Sequence, residues 1–369
     1  MRILYLDPFH GGPHARGAHG YARTSRHTVT LLTLSQAGGW RWRMRGAAVT
    51  LARMLRERPQ YYDLIIATDM LDLATFLGLT RALIGSTPVV LYMHENQLTY
   101  PLPSGRSRDL SFPWINYTSM LAADAIYFNS AFHRHAVLSA LPELIGRFHD
   151  HHELDLIDTL AARSSVLPPG IDLARLGAAT APRSPASPPT ILWNSRWEYD
   201  KGPDAFFAAL DELDHAGVAF RLIVAGEHID PQHATFVQLR QRFAAQTLWW
   251  GYAPDTATYA QLLHQADIVV SSAIQEFFGI AVLEAIYCGC LPLLPARLSY
   301  PDLIPAQLHE YCLYADDRQL AGALRHMCET PPPAAITLLP QAAAAYDWAR
   351  LAPRYDATFA EIAQNRMVQ

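Results

Sequence analysis

Two short segments of this 369-residue chain carry residue types suited to holding a phosphorylated ligand. The first is Asn194-Ser195-Arg196-Trp197-Glu198-Tyr199-Asp200-Lys201-Gly202-Pro203. It follows an apolar strand pattern and ends on a proline that suits the first turn of a helix. A loop between a strand end and a helix N-terminus is a natural anion site. There Arg196 and Lys201 would add two positive charges and could stabilise a diphosphate as it leaves. The alternative is a surface ion pair with Glu198 or Asp200. Of 29 basic residues, Lys201 is the single lysine. Lysine and arginine are not interchangeable at a phosphate, so this exception in an arginine-rich chain points to a role.

The second segment is Glu276-Phe277-Phe278-Gly279-Ile280-Ala281-Val282-Leu283-Glu284. It opens a helix near Gly279, and N–H groups at Phe278, Gly279 and Ile280 would be free to meet a phosphate or a sugar hydroxyl. Glu276 precedes the helix; it could reach sugar hydroxyls or simply cap the helix. Glu284 sits in an apolar run, where a carboxylate without a partner would be costly. That favours a ligand, such as the two hydroxyls of a ribose, or a buried partner.

The first half holds a second set. Gly11-Gly12 follows the first strand, allowing backbone approach to a phosphate or forming a plain tight turn. His94 ends a strand and could hydrogen-bond a transferring sugar or a phosphate oxygen; as a lone histidine it could equally be a satisfied core residue. Glu95, Asn96 and Gln97 after it could read an acceptor's hydroxyls and base edges. Trp40-Arg41-Trp42-Arg43 and Arg45 mix guanidinium and aromatic faces, as nucleic-acid-gripping surfaces do; the alternative is an aromatic core with the arginines pointing outward. Residues 1–58 hold ten arginines against Asp7 and Glu57 only, although the whole chain has net charge −5. That local excess tilts the balance toward a polyanion such as RNA.

These residues need elements to position them. Strand patterns at 2–7, 28–34, 64–68, 89–94 and 125–129 alternate with helix-length stretches near 46–58, 70–84, 110–122 and 130–141. This predicts a parallel sheet covered by helices. The proline- and serine-rich 181–189 reads as a linker. Beyond it, strands at 190–194, 221–225, 247–250, 268–271 and 291–294 alternate with helices at 203–216, 231–245, 256–265 and 280–288, and 337–366 reads as helix. The fold class is α/β, with two doubly wound domains, 1–180 and 181–345, and a C-terminal segment 346–369. Ligands of open α/β sheets bind beyond the carboxyl ends of the strands, so two such domains would face a central cleft. No apolar run reaches the length of a membrane span. Cys288, Cys290, Cys312 and Cys328 form neither a disulfide framework nor a zinc pattern, and a reducing cytoplasm fits them best.

The two segments resemble the Arg…Lys-Gly and Glu-x7-Glu signatures of GT-B glycosyltransferases, the retaining family 4 in particular. Leu167–Asp172, Val224-Ala225-Gly226-Glu227, Trp250–Asp255 and Trp348 resemble other parts of that family. Phe277 departs from it, where glycine is usual. Asp7–His14, Trp40–Arg45, Tyr92–Pro101, Phe128-Asn129-Ser130, Glu276–Gly279 and Cys288-Gly289-Cys290 are similar to the tRNA-queuosine α-mannosyltransferases. The resemblance spans nearly the whole chain. It implies a GT-B fold and transfer of mannose from GDP-mannose, with retention, to queuosine at the wobble position of tRNA, tRNA-Asp being the expected one. By this resemblance Gly11, Gly12, Gly226 and Phe278 join the donor site, His14 and Asn129 join the acceptor site, and the tail from 346 crosses back to the first domain.

No Asp-x-Asp occurs, which argues against a metal-bridged diphosphate site. The expectation is a metal-independent enzyme without cofactor or obligate protein partner, with His94, Arg196, Lys201 and Glu276 closest to the chemistry. The rival readings are the same chemistry on a lipid or glycan, a catalytically silent nucleotide- or RNA-binding protein, and a pyridoxal-phosphate phosphorylase using Lys201.

Overall fold

The computed structural model describes residues 1–103, 105–177, 188–227 and 234–365. Contacts divide the chain into two compact units, 1–172 with 348–369, and 173–347. Each is built on a parallel six-stranded sheet.

In the first unit the strands are β1 (Arg2–His10), β2 (Thr28–Ser35), β3 (Leu64–Thr68), β4 (Val89–Met93), β5 (Ala125–Phe128) and β6 (Ser164–Val166), in the order β2-β1-β3-β4-β5-β6. Strands β3 and β4 are buried at every position. This explains why they read as unbroken apolar runs instead of alternating ones. A helix not foreseen from the sequence, Gly12–Thr24, follows β1. The helix expected at 46–58 begins earlier, at Trp40, and runs to Glu57.

The helix Trp348–Asn365 belongs to this unit. The indole of Trp348 fills the space where side chains on Gly20 and Gly170 would stand; a Cβ there would lie 2.0 and 2.2 Å from it. Asp356 is buried and accepts hydrogen bonds from Tyr21 Oη (3.0 Å), Ser25 Oγ (2.6 Å) and the Arg26 N–H (2.9 Å). Tyr355 Oη donates to the Pro168 carbonyl at 2.9 Å, and Phe359 is fully buried. The segment expected to be one helix from 337 is therefore broken, with Leu339–Ala344 separate from Trp348–Asn365.

The second unit contains β7 (Thr190–Trp193), β8 (Arg221–Ala225), β9 (Thr247–Gly251), β10 (Ile268–Val270), β11 (Leu291–Pro295) and β12 (Leu313–Tyr314), in the order β12-β11-β10-β7-β8-β9. Its core is aromatic: Trp193, Phe206, Phe207, Phe236 and Phe243 pack beside Ile191, Leu222 and Leu293. Residues 173–177 belong here. The Leu173 N–H donates to Asp347 Oδ2 at 3.0 Å, and His264 Nε2 lies 2.9 Å from the Leu176 carbonyl. These contacts place the division at 172/173, ahead of the expected 180/181. Residues 181–187 of the expected linker, and the start of the helix expected at 231, lie outside the described residues. Among those described, no helix is long and apolar enough to cross a membrane.

Candidate active site

In the second unit the chain after β7 turns through Ser195–Glu198 and a short 3-10 segment, Tyr199–Lys201, into the helix Pro203–His215. Gly202 makes the junction with φ +58°, and a Cβ there would lie 2.1 Å from the Ser272 carbonyl oxygen. Only glycine allows both the left-handed backbone and that approach. The result brings Lys201 against the loop after β10. Its Nζ donates to the Gln275 carbonyl (3.0 Å) and lies 3.3 Å from both Glu276 Oε2 and Asp200 Oδ2. The lysine side chain is 11 % exposed and Asp200 is buried. Burial alone would depress the lysine pKa. The carboxylates of Glu276 and Asp200 outweigh that and hold it above the ordinary 10.5, so Lys201 is charged. Arg196, half exposed, pairs with Glu198 at 3.1 Å. Both ion pairs weighed from the sequence are therefore present, and the two cations stand at the same strand–helix junction.

The helix Ile280–Tyr287 begins at Gly279, whose φ is +111°. Its first turn leaves N–H groups without a carbonyl four residues back. Gly279 and Ile280 stand at that opening. The Phe278 N–H, expected to be free, is instead taken by Glu276 Oε1 at 3.3 Å; the Phe278 ring is buried, edge-on to Tyr346 at 5.2 Å. Glu276 thus serves the backbone with one oxygen and Lys201 with the other. Glu284 is buried in the helix, and its partners are protein groups: Arg175 Nη2 on Oε1, and Tyr259 Oη on Oε2 at 2.9 Å. Asn194 Nδ2, at the end of β7, donates to the Ala281 carbonyl at 2.9 Å and braces the same helix. Gly226 follows β8, its N–H on the Gly251 carbonyl at 3.2 Å. Arg175, Tyr259 and Asn194 were not singled out from the sequence. Arg175 is 109 residues from its carboxylate, and no local pattern marks such a pair.

In the first unit, Gly11 and Gly12 form the turn from β1 into the helix Gly12–Thr24. Below them Asp7, fully buried, bonds the Phe9 N–H (3.1 Å) and His10 Nδ1 (2.8 Å). His14 packs its ring on that of His94, with centroids 4.3 Å apart. His94 Nε2 is buried without a hydrogen-bond partner among the described residues. Burial, then the neighbouring His14 and His133, hold its pKa well below 6.5, so the imidazole is neutral. The His94 N–H donates to the buried Asp69 at 2.8 Å.

Two residues expected to contact an acceptor face inward instead. Asn96 is fully buried, and its Oδ1 accepts the Leu98 and Thr99 N–H groups at 3.0 and 2.8 Å. This side-chain turn shapes the loop. Asn129 is also buried, bridging the His94 carbonyl (2.7 Å) and His133 Nδ1 (2.8 Å). Glu95 and Gln97 remain half-buried and are joined to each other, Gln97 Nε2 to Glu95 Oε1, at 2.9 Å. At the start of Trp40–Glu57 the aromatic pair divides. Trp40 packs on Phe112 at 4.9 Å, with the Arg41 guanidinium 4.4 Å above its ring. Trp42 is 65 % exposed. Arg43 is tied to the Ser35 carbonyl, with Nη2 at 2.7 Å, and Arg45 to Asp109 at 2.7 Å.

Comparison with known proteins follows this division. Residues 2–171 match the family described as tRNA-queuosine alpha-mannosyltransferase N-terminal, and residues 180–335 match glycosyl transferases group 1. The chain is 28% identical over 336 residues to the tRNA-queuosine alpha-mannosyltransferase of Drosophila melanogaster, covering 89% of this chain and 87% of that protein. It is 26% identical over 361 residues to a GDP-mannose-dependent alpha-(1-6)-phosphatidylinositol dimannoside mannosyltransferase of Mycobacterium tuberculosis, with 93% and 86% covered. Among solved structures it is similar in fold to sucrose-phosphate synthase from Thermosynechococcus elongatus, with TM-score 0.73, 15% identity, and 98% and 99% of the two chains covered.

Proposed function

We propose that this chain, a glycosyltransferase of GT-B fold whose residues 2–171 match the tRNA-queuosine alpha-mannosyltransferase N-terminal family and whose residues 180–335 match the glycosyl transferases group 1, transfers mannose from GDP-mannose to the queuosine at the wobble position of tRNA, tRNA-Asp being the first candidate. The observation that carries this reading is the buried Lys201, held charged between Asp200 and Glu276 beside the opening of a helix that contains Glu284.

In this reading Lys201 and Arg196 take up the charge that develops on the departing diphosphate, together with the N–H groups of Gly279 and Ile280. Glu284 receives the ribose hydroxyls and Glu276 a sugar hydroxyl. His94, neutral, hydrogen-bonds a sugar hydroxyl or phosphate oxygen and carries no charge there. No pair of carboxylates is assigned to a double displacement. The acceptor hydroxyl attacks from the face the diphosphate leaves, and its proton passes to the leaving phosphate. Arginine and lysine supply the charge that a metal would, so chelators leave the rate unchanged. Exposed Trp42, stacked Arg41 and the arginine excess of the first 58 residues supply the grip on RNA. A reaction on tRNA sets the enzyme in the cytoplasm.

The test is incubation with GDP-mannose and queuosine-containing tRNA, followed by mass spectrometry of the modified nucleoside. The expected result is a gain of one hexose, abolished by prior ribonuclease treatment. No gain on any queuosine-containing tRNA defeats the proposal, and incorporation that survives ribonuclease points to a lipid or glycan acceptor instead.

A further inference from the structure

Glu284, which closes the second signature segment, pairs with Arg175, which lies outside both segments. The glutamate side chain is 4 % exposed and the arginine 20 %. Arg175 lies on a short 3-10 segment, Ala174–Leu176, whose ends are tied down by the Leu173 N–H on Asp347 and by His264 on the Leu176 and Gly177 carbonyls. Opposite it, Tyr259 Oη donates to the other carboxylate oxygen, and Asn194 Nδ2 lies 3.3 Å from that hydroxyl. Burial and the facing Glu284 raise the Tyr259 pKa well above its usual value, so its hydroxyl keeps its proton and donates.

A carboxylate has about four acceptor positions, and Arg175 and Tyr259 occupy two. Two remain, one on each oxygen, which matches the two O–H donors of a vicinal diol. The guanidinium compensates the buried negative charge, and its rigid fork fixes the plane of the carboxylate. One donor is left over: Arg175 Nε is buried with no hydrogen-bond partner among the described residues. A buried donor left unmade is costly, and a ligand oxygen would relieve it.

We infer that Arg175 is a positioning residue of the donor site, holding Glu284 so that its free lone pairs read the 2′- and 3′-hydroxyls of the donor's ribose. This rests on the donor reading given above, in which Glu284 receives the ribose. It adds a residue outside both signature segments and a specificity: the site rejects a nucleotide without the diol, because that ligand leaves a buried carboxylate short of partners.

The experiment measures binding of guanosine diphosphate and of its 2′,3′-dideoxy analogue by isothermal titration to the whole protein and to R175M. Wild type should prefer guanosine diphosphate by about tenfold to hundredfold. In R175M that preference should collapse, with guanosine diphosphate weakened to the level of the analogue and the analogue nearly unaffected. A purely structural arginine would weaken both ligands alike, and that result overturns the inference, as does a preference intact in R175M or absent in wild type. R175K keeps the charge, and with it the fold, but not the fork. It too should lose most of the preference, and full preference in R175K overturns the inference. A wild-type protein that binds neither nucleotide defeats the donor reading itself, whereas a wild-type preference untouched by R175M defeats only the role of Arg175.

Discussion

Replacing Lys201 with methionine removes the charge while nearly keeping the side-chain volume, so it separates electrostatics from packing. At 3.3 Å each of the two carboxylates attracts the ammonium by about 5 kcal/mol at an effective dielectric constant near 20. Most of that attraction is offset by desolvating three charges, so the intact cluster adds little net stability. Breaking it is another matter. In K201M the buried Asp200 and the partly buried Glu276 lose the ammonium they share, at a cost of about 3–5 kcal/mol. Adding D200N to K201M removes one of the two acids and should recover most of that loss. Catalysis should not recover. A cation on the leaving diphosphate is worth about 3–4 kcal/mol, so kcat should fall roughly 100- to 1000-fold in both K201M and D200N/K201M. Thermal unfolding and single-turnover transfer measured on the same preparations read the two effects separately. The sign of the pH dependence is also fixed. The folded lysine pKa lies above 10.5, so the pair's contribution is present throughout the neutral range and is lost only as the pH rises beyond that value. Wild-type kcat in the double variant would refute the leaving-group role, and a wild-type melting temperature in K201M would refute the buried-cluster argument.

Three further outcomes are expected. W42A should raise KM for tRNA about tenfold or more through loss of a stacking face, with kcat and KM for the sugar donor unchanged in steady-state assays. In the first unit, burial pushes the His133 pKa down to about 3 and holds His94 well below 6.5, so only the unfolded chain takes up these protons as the pH drops. Stability is therefore full above about pH 6.5 and falls below it by about 1.4 kcal/mol per pH unit for each histidine; H133Q should make that slope shallower by one proton in acid titrations followed by circular dichroism. W348A empties the space beside Gly20 and Gly170 and should cost about 3–5 kcal/mol, measured by denaturant unfolding.

The inner strands of the sheets were legible because they are buried on both faces. Leu64–Thr68 and Arg221–Ala225 occupy the residues their apolar runs predict. The helix Gly12–Thr24 was not, since its glycines, histidines and arginines give little apolar periodicity and it buries only Ala18, Gly20 and Tyr21. Strand β6 reads Ser-Ser-Val, with one apolar residue, and β12 is only two residues long, so neither forms an apolar run. Within the candidate site, Arg196, Lys201, Glu276 and Glu284 stand out by charge and spacing. What cannot be read from them is where each polar group turns. Asn96 and Glu95 are neighbours of similar polarity, yet one builds the loop and the other stays half-exposed. The phase of the helix that begins at Trp40 likewise decides that Trp40 packs and Trp42 does not.

The return of the helix Trp348–Asn365 to the first unit makes the second unit an insertion in the chain. This has a consequence for biogenesis. Residues 173–347 hold all of their own core while the helix Trp348–Asn365 is still being synthesised, whereas residues 1–172, though they carry all six strands of their sheet, do not. Their core waits for Trp348, Tyr355 and Phe359, and the buried Tyr21 and the Arg26 N–H wait for Asp356. Of these two units, the one translated earlier is therefore the one completed later. Until that helix arrives, the space that Trp348 fills at Gly20 and Gly170 stays uncovered, the kind of transient exposure that makes folding intermediates prone to aggregate.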